Sequence, residues 1–501
     1  MDTLANLALG FEAALAPSVL LYCFIGVFLG TMIGVLPGIG PLAAISLLLP
    51  ITYYIGPAEA IIMIAGVYYG SQYGGSTTSI LLRIPGTSSA AVVAIDGYQM
   101  TQQGRGGIAL LMTTVASFAG AMIGLLVLVL FAPRVAEFAL QFGSAEYFAI
   151  MLLGLLSAAT LSTSLLKGAG MVVLGLVLSM VGIDVNSGVS RFDFGFVELY
   201  DGINLIAIAM GLFAIADIIS NAVGSSERKP IGKVTFRSMV PTRPDLSRSW
   251  PAILRGTGVG GFFGALPGAG LTMASFIAYA IEKRTSRRAE EFGNGAIEGV
   301  VGPEAANNAA AQTSFVPTLS LGIPGDATMA LIMGALIIHG ITPGPLLIDQ
   351  HPQIFWGLIA SFVIGNLLLL VLNIPLIGLW LSLLRIPYRM LYPAILIFVC
   401  LGVYSVNGNP FDIYLVAIIG ALGYVLSRLN FEPAPLLLGF ILGPLMEEHF
   451  RRALVLSRGD LAVFIERPIS ASILSVCVLV LLWSGWKTWR KAPDTTTEGA
   501  K

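Results

Sequence analysis

The same Gly/Pro-rich string occurs twice in this chain, and that duplication constrains the fold more than any other feature of the sequence. Gly26–Ala44 reads GVFLGTMIGVLPGIGPLAA and Gly256–Ala274 reads GTGVGGFFGALPGAGLTMA, with eight identical residues at a constant offset of 230. A second matched pair follows in the same order, RIPG at Arg83–Gly86 and GIPG at Gly322–Gly325, at an offset of 239. Ordered matches of this kind indicate an internal duplication.

Each copy of the first string predicts a helix that packs closely and then breaks. Glycines at every fourth position leave one helical face free for a neighbouring backbone. The Leu-Pro-Gly-x-Gly sequence that follows removes an amide donor and admits unusual dihedral angles, so it interrupts the helix. Paired interruptions in two halves point to the substrate site of a transporter, and a pair of proline kinks that serve only packing is the alternative. The predicted breaks are at Pro37, Gly38 and Gly40 and at Pro267, Gly268 and Gly270.

The distribution of apolar residues predicts a membrane protein. Hydrophobic residues are 56% of the sequence and charged residues only 11%, whereas soluble proteins carry about 25% charged residues. Stretches of about 20 apolar residues recur from Pro17 to Trp486, as expected for many spanning helices. Two lone acids near segment ends, Glu59 and Asp217, are expected at the membrane interface. With the duplication, this predicts an all-α polytopic membrane protein whose two homologous halves form an inverted repeat with broken helices and re-entrant hairpins.

A basic segment separates the two halves. Glu227–Arg255 contains seven bases and two acids, and short basic loops stay on the cytoplasmic side of a membrane. The N-terminus has no base before Arg83 and is expected outside, which gives the odd number of crossings that an inverted repeat needs. The predicted domains are residues 1–222 (first repeat), 223–252 (cytoplasmic linker), 253–486 (second repeat) and 487–501 (cytoplasmic tail).

Other classes of site and partner are not expected. The basic segment has no interleaved aromatic residues for base stacking, so no nucleic-acid partner is expected. Cys23, Cys400 and Cys477 have neither metal-site nor disulfide spacing, and no cofactor is expected. Because no basic region precedes the first apolar stretch, Met1–Gly34 is expected to belong to the mature protein.

A polar stretch lies between the two matched strings of the first half. Tyr68–Ser79 reads YYGSQYGGSTTS and is followed by ILLRIPGTSS, which is too polar for a lipid-facing helix. It predicts a re-entrant hairpin or broken helix whose amide and hydroxyl groups could bind a carboxylate. Arg83 is the only charge in the stretch; it could add a bidentate carboxylate contact or extend to the membrane interface.

The second half carries a matching polar stretch, EAANNAAAQTSFVPTLSLGIPGDAT, from Glu304 to Thr328. Such side chains are costly in an apolar setting and need partners or a function. Either Glu304 or Asp326 could bind a coupling proton, and the two asparagines could instead serve as interhelical hydrogen-bonding residues. The alternative prediction is a Na⁺ site near Asn307, Asn308, Thr313 and Asp326.

Together these strings resemble the large membrane subunit of tripartite tricarboxylate transporters, the TctA family. The resemblance rests on the paired LPGxG motifs, on YGGSTTSILLRIPG and on EAANNAAAQTSFVPTLSLGIPG, and it extends from about Gly26 to Arg452. It implies ion-gradient-driven import of small carboxylates, citrate among them, across the bacterial inner membrane. The implied partners are a small four-helix membrane subunit, a periplasmic substrate-binding protein and membrane lipid, and the implied coupling ion is Na⁺ or H⁺.

The resemblance and the polar pattern together mark candidate substrate-binding residues in both halves. The two LPGxG breaks are joined by residues expected at or near hairpin tips. These are Ser76, Thr77, Thr78, Ser79, Pro85 and Gly86 in the first half and Asn307, Asn308, Thr313, Ser314, Pro324 and Gly325 in the second.

The alternatives to such a transporter are a stand-alone carrier, an intramembrane enzyme and a channel. The stand-alone carboxylate carrier would need no binding protein. An intramembrane enzyme is not expected, because the sequence has no HExxH or GxSxG string and the serine-rich stretch has no nearby His or Lys base. A channel is disfavoured because two fused halves suit alternating access. ATP drive is disfavoured by the absence of a GxxxxGK[ST] string.

Overall fold

The computed structural model describes residues 3–36, 40–162, 164–184, 187–223, 236–267, 270–383 and 388–490. Pro37, Gly38 and Gly268, residues 224–235 of the basic segment and the tail from residue 491 lie outside the described residues. The described part of the chain is helical apart from one antiparallel hairpin, in which β1 (Gly182–Ile183) pairs with β2 (Ser190–Arg191). The prediction of a helical fold is confirmed.

Among the described residues, ten α-helices form the first half. Their bounds are α1 Thr3–Ala14, α2 Pro17–Val35, α3 Pro41–Thr52, α4 Pro57–Leu82, α5 Val93–Gln102, α6 Gly106–Ala139, α7 Ser144–Leu161, α8 Leu165–Ser179, α9 Leu205–Ala209 and α10 Ala216–Val223. A π-helical segment, Met210–Ile215, joins α9 to α10. Short 3₁₀ turns occur at Ser88–Ala91 and Val197–Leu199.

In the part of the second half that the structure describes there are thirteen α-helices. Their bounds are α11 Arg243–Gly264, α12 Gly270–Thr285, α13 Glu298–Thr313, α14 Phe315–Leu321, α15 Ala327–Ile338, α16 Leu347–Gln350, α17 Pro352–Asn373, α18 Ile377–Leu383, α19 Tyr388–Asn407, α20 Pro410–Arg428, α21 Pro433–Leu456, α22 Val463–Glu466 and α23 Pro468–Arg490. Short 3₁₀ turns occur at Phe236–Met239 and Ala289–Glu291.

The described helices include some that are long and apolar enough to cross a membrane and others that are buried within the protein. By length and composition, four of the described helices could cross a membrane, namely α2, α6, α17 and α20, and shorter apolar helices accompany them. In contrast, every residue from Ala60 to Leu81 in α4 and from Glu298 to Thr313 in α13 is buried. The polar stretches therefore lie in the protein interior, where neighbouring helices supply the partners that lipid lacks.

The duplicated glycine strings make the same contact in both halves. In the first half α2 packs on α4, and a Cβ atom on Gly30 would overlap the carbonyl oxygen of Val67. In the second half α11 packs on α13, and a Cβ atom on Gly260 would overlap the carbonyl oxygen of Ala306. Ala306 lies 239 positions after Val67, the offset of the second string. The same relation holds for the flanking contacts, Gly26 with Met63 and Gly34 with Ser71, Gly256 with Gly302 and Gly264 with Ala310.

The buried polar segments of the two halves, which are α4 in the first half and the consecutive helices α13 and α14 in the second, also end in the same way. Arg83, which follows α4, has a φ of 59°, and the aligned Gly322, which follows α14, has a φ of 70°. This left-handed conformation suits glycine and costs about 1–2 kcal/mol for other residues. The shared ending and the shared helix pair support the duplication, while the inverted orientation of the halves stays a prediction.

After each left-handed residue the chain turns back onto its own helix. In the first half the amide of Gly86 donates to the carbonyl oxygen of Gly75, at 3.3 Å. In the second half Gly325 packs against Ser314, which aligns with Gly75. The RIPG and GIPG strings are therefore the turns that follow the buried polar helices.

The basic segment is partly helical. Thr242 and Asp245 form a capping box at the start of α11, so this helix begins at Arg243, within the predicted linker, and continues into the predicted second repeat. Two of the bases pair with acids of the second half: Arg248 lies 2.7 Å from Glu298 and Arg255 lies 2.6 Å from Glu282. These partners are distant in sequence, so pattern analysis could not identify them. The cytoplasmic location of the segment stays a prediction.

Candidate functional site

A cavity of about 1080 Å³ lies where the two halves meet. Both LPGxG strings reach it, through Gly40 and Gly270, and so do both turns that follow the polar helices, through Gly86 and Asp326. The hydroxyl groups of Ser88 and Thr272, 2.9 Å apart, join the halves across its wall. Pockets for small molecules commonly measure about 300–1,000 Å³, so this cavity is large enough for one.

Four long helices begin at the cavity wall. They are α3, α12, α15 and α21, each of 12 residues or more, and the first residues of all four line the cavity. The first turn of a helix has amide groups without intrahelical partners and carries about half a unit of positive charge. Pro41 and Pro433 lack an amide proton, but the following Leu42 and Ala434 retain theirs. The wall therefore presents amide donors and positive helix ends from α3, α12 and α21, while the start of α15 is capped by the carboxylate of Asp326.

The charged side chains of the wall are all acidic. Asp217, Asp326 and Glu432 line the cavity, and none of its described lining residues is Lys, Arg or His. Asp326 is the N-cap of α15: its carboxylate accepts the Met329 amide at 2.8 Å and the Tyr68 hydroxyl at 3.0 Å. Positive helix ends beside negative side chains suit an anion that is accompanied by a cation.

Only part of the predicted substrate-binding set lines the cavity. The members found there are Gly40, Pro85, Gly86 and Gly270, together with Asp326 from the predicted Na⁺ site. The described Pro267, Pro324 and Gly325 are not among the lining residues, and Gly325 is buried against Ser314. The roles of these residues in substrate binding stay predictions.

The prediction that Ser76–Ser79 and Asn307–Asn308 form hairpin tips is wrong. Ser76, Thr77, Thr78 and Ser79 lie inside the continuous helix α4, and Asn307, Asn308 and Thr313 lie inside α13, with Ser314 at its end. Hydroxyls such as Ser79 and Thr313 donate to backbone carbonyl oxygens of their own helix. Burial by neighbouring helices lets a polar helix persist here, because its side chains find protein partners in place of water.

Asp217 is a wall residue that the sequence placed at the membrane interface. It follows the π-helical segment Met210–Ile215, and Phe213 and Ser220 of the same helix also line the cavity. The π-helical hydrogen-bonding pattern is common at functional sites and changes which side chains face a neighbour. An acid within an apolar helix was the available signal, but the π turn itself left no trace in the sequence pattern.

Arg83 does not reach the cavity. Its side chain is exposed, and its guanidinium lies 6.0 Å from the centre of the Tyr98 ring. In this conformation its position agrees with the interfacial alternative and not with a bidentate carboxylate contact.

A helical membrane protein in which two repeated, interrupted helices and four helix N-termini surround one cavity belongs, as a class, to the membrane transport proteins. More particularly, the chain belongs to the tripartite tricarboxylate transporter TctA family, which matches residues 20–438. The resemblance seen in the motifs is confirmed. Since this is a family of transporters, membership agrees with the expectation that the chain is not an enzyme.

Two proteins of Agrobacterium vitis are similar to the chain. The uncharacterized 52.8 kDa protein in the TAR-I ttuC' 3' region is 54% identical over 486 residues, covering 96% of this chain and 97% of that protein. The uncharacterized protein in the TAR-II ttuC' 3' region is 61% identical over 226 residues, covering 44% of this chain and 93% of that protein. No solved structure matches the chain.

Proposed function

We propose that this chain is the large membrane subunit of a binding-protein-dependent importer that uses an ion gradient to carry small carboxylates across the bacterial inner membrane. The observation that carries the proposal is the convergence of four helix N-termini on one cavity between the halves. Unpaired amides and helix dipoles stabilise carboxylate groups without any basic side chain. The cavity volume fits substrates of the citrate class.

The acidic wall supports coupling to a cation. A carboxylate substrate that enters beside Asp217, Asp326 and Glu432 is repelled unless positive charge enters with it, since like charges about 4 Å apart repel by about 1–4 kcal/mol. The helix ends supply part of that charge, and Na⁺ or H⁺ supplies the remainder. Cation and anion then bind cooperatively, which is the requirement for symport.

The family description supports the subunit composition. A tripartite system contains a large membrane subunit, a small membrane subunit and a periplasmic binding protein that delivers the substrate. In this arrangement the binding protein contributes most of the substrate specificity, and the cavity needs only to accept the carboxylate class. A stand-alone carrier would transport without the binding protein, so omission of that protein distinguishes the two functions.

Gly40 offers a test that leaves the fold intact. A Cβ atom at this N-cap of α3 meets no atom within 4 Å, and its φ of −77° suits any residue. Both Asp and Asn are good N-caps, but only Gly40→Asp adds a negative charge where the substrate carboxylate would lie. We expect Gly40→Asp to lower the initial uptake rate at least about tenfold, while Gly40→Asn stays close to wild type.

The measurement is uptake of radiolabelled citrate, with a panel of other small carboxylates, into proteoliposomes that contain both membrane subunits and external binding protein. Thermal unfolding of each purified variant establishes that both remain folded. Equal uptake by the Gly40→Asp and Gly40→Asn variants would remove the cavity as the anion site. No uptake of any carboxylate by the wild-type complex, under either a Na⁺ or a pH gradient, would refute the proposed function.

A further inference from the structure

Glu304 is a buried acid at the junction of the two halves. It lies in α13, fully buried, where this helix packs against α4 and α6 of the first half. Its carboxyl oxygens accept hydrogen bonds from Ser76 Oγ at 2.5 Å, Ser117 Oγ at 2.8 Å and Asn308 Nδ2 at 3.0 Å. None of the ion pairs within the described residues includes Glu304. A buried carboxylate without a counter-charge is costly, so a bound positive charge is needed to neutralise it.

The duplication serves as an internal control for this position. Ala65 of α4 lies 239 residues before Glu304, is likewise fully buried and belongs to the same repeated helix pair. A small apolar side chain therefore satisfies the packing of this helix. The acid at position 304 adds a cost that packing does not require, which is the mark of an intramembrane ionisable residue with a function.

The partners of Glu304 can serve either protonation state. Serine hydroxyls donate to an ionised carboxylate and accept from a protonated one, so Ser76 and Ser117 suit both forms. Asn308 Oδ1 is buried and has no hydrogen-bond partner, so this acceptor is available to an acid proton after rotation of the amide. The O···O distances of 2.5 and 2.8 Å are those of direct hydrogen bonds. Such spacing holds a proton and leaves no room for a metal ion between the oxygens.

Other titratable groups near α13 already have partners. Tyr73 of α4, which interacts electrostatically with Glu304, donates its hydroxyl to Asn366 Oδ1 at 2.9 Å. The acids of the neighbouring helices α5 and α12 are bound elsewhere. Asp96 accepts the amides of Gly293, Gly295 and Ala296 and the Tyr279 hydroxyl, Glu282 pairs with Arg255, and Glu298, in the first turn of α13, pairs with Arg248. Asp96 and Glu304 are thus the acids of this region whose hydrogen-bond partners carry no charge. Asp96 accepts three backbone amides that can only donate, whereas the serine partners of Glu304 can also accept a hydrogen bond from an acid proton.

Glu304 lies close to the cavity wall along α4. Ser76 Oγ lies 3.5 Å from the carbonyl oxygen of Gln72, one helical turn earlier in α4. The side-chain Oε1 of Gln72 accepts the Ser89 hydroxyl at 2.9 Å, and both residues line the cavity. The hydrogen-bond partner Ser76 of Glu304 is therefore one helical turn from a residue of the cavity wall.

We propose that Glu304 binds the coupling proton. The carboxylate takes up a proton from the external side to become a neutral acid, no other bond changes, and the same proton leaves to the cytoplasmic side after substrate release. Protonation removes the uncompensated charge between α4, α6 and α13, so the substrate-loaded halves rearrange when Glu304 is neutral, and the empty halves return only after the proton has left. The coupling role rests on the proposed function, while proton binding by Glu304 can be measured without a substrate.

Infrared difference spectroscopy measures that protonation directly. The full chain in lipid nanodiscs is recorded across a pH series, first as wild type and then as Glu304→Gln. We expect a protonated-carboxyl stretching band that titrates in the wild type and is lost in Glu304→Gln. The matched control is Glu298→Gln, which removes a buried acid of the same helix that pairs with Arg248 and should leave the band in place. An identical band in the wild type and Glu304→Gln would overturn the proposal.

Transport gives the second test. Glutamine mimics the neutral acid, so Glu304→Gln should still exchange internal for external radiolabelled citrate but lose net uptake driven by a pH gradient, because no proton can be released. The matched control is Thr114→Ala, which removes a buried hydroxyl of α6 that donates to the Leu110 carbonyl oxygen of its own helix; it should retain both activities. Net pH-driven uptake by Glu304→Gln would overturn the proposal, as would net uptake by this variant driven by Na⁺ alone. If Glu304→Gln fails to fold, Glu304→Asp replaces it, and a shift of the infrared titration is then the expected result.

Discussion

The buried polar helices α4 and α13 are the most instructive pair in the molecule. They occupy equivalent positions in the repeat and each packs on a glycine-faced helix; a left-handed residue ends α4 directly and follows α13 after the short helix α14. Their side chains nevertheless differ at aligned positions. Where α4 has Ala65, Tyr68, Tyr69 and Tyr73, α13 has Glu304, Asn307, Asn308 and Gln312.

Because the two helices share the same packing, the side chains that differ between them are not required by that packing. The tyrosines of the first half use their hydroxyls to reach other helices, as Tyr68 does to Asp326 and Tyr73 to Asn366. In the second half, the side-chain amides of Asn307 and Gln312 are buried and have no hydrogen-bond partner within the described residues. Unsatisfied buried amides are costly, so the second half retains polar groups that the repeated packing does not need.

The largest expected loss of stability comes from placing a large side chain where α11 packs on α13 or where α2 packs on α4. Gly260→Leu should destabilise the protein by about 3 kcal/mol or more, because its side chain would overlap the Ala306 backbone. Gly258→Leu, on the same helix but with no atom within 4 Å of a Cβ, should change stability by less than about 0.5 kcal/mol. Thermal unfolding in detergent measures both. Gly30→Leu should match Gly260→Leu, and a tolerated leucine at either position would break the equivalence of the two helix pairs.

An intermediate loss of stability is expected from substitution of Asp326 and a smaller one from substitution of Thr87, the residue aligned with it. Asp326 caps α15, whereas the aligned Thr87 precedes the 3₁₀ turn Ser88–Ala91 and makes no capping hydrogen bond. Asp326→Ala should cost about 1–2 kcal/mol, because the Met329 amide and the Tyr68 hydroxyl both lose an acceptor. Thr87→Ala should cost less than about 1 kcal/mol. The measurement is the unfolding midpoint of each variant.

Asp326→Asn sharpens this second comparison. Asparagine keeps the cap but removes a negative charge from the cavity wall, so stability should be retained while the dependence of uptake on the coupling ion changes. Equal destabilisation by Asp326→Ala and Thr87→Ala would show that the two turns are equivalent in energy as well as in position.

The smallest effect is expected at the left-handed residues. Arg83→Gly should stabilise the protein by less than about 1 kcal/mol, because relief of the left-handed strain is offset by the greater freedom of glycine in the unfolded chain. Gly322→Ala should destabilise by about 1–2 kcal/mol, since its Cβ atom would also lie 2.7 Å from the Pro343 carbonyl oxygen. Denaturant or thermal unfolding midpoints measure both effects. The midpoint should rise for Arg83→Gly and fall for Gly322→Ala, and a change in the same direction for both would contradict the prediction.

Sequence patterns predicted the repeated elements well and their surroundings poorly. The glycine-faced helices, the interruptions after them and the turns at Pro85 and Pro324 could all be read because each depends on residues close together in the chain. The continuity of α4 through Ser79 could not, since burial by other helices makes a polar helix stable. The sequence did not indicate that Asp217 lines the cavity, because a π turn leaves no periodic signal.

The sequence by itself determined the membrane class, the duplicated halves and the family, because these depend on composition and on ordered local strings. Only the tertiary structure decided which groups share a cavity and which are buried together. It placed four helix N-termini around one cavity, and it placed Glu304 of one half against Ser76 and Ser117 of the other. The physical reason is that helix dipoles, burial and hydrogen-bond partners depend on the relative positions of distant segments, which no local pattern encodes.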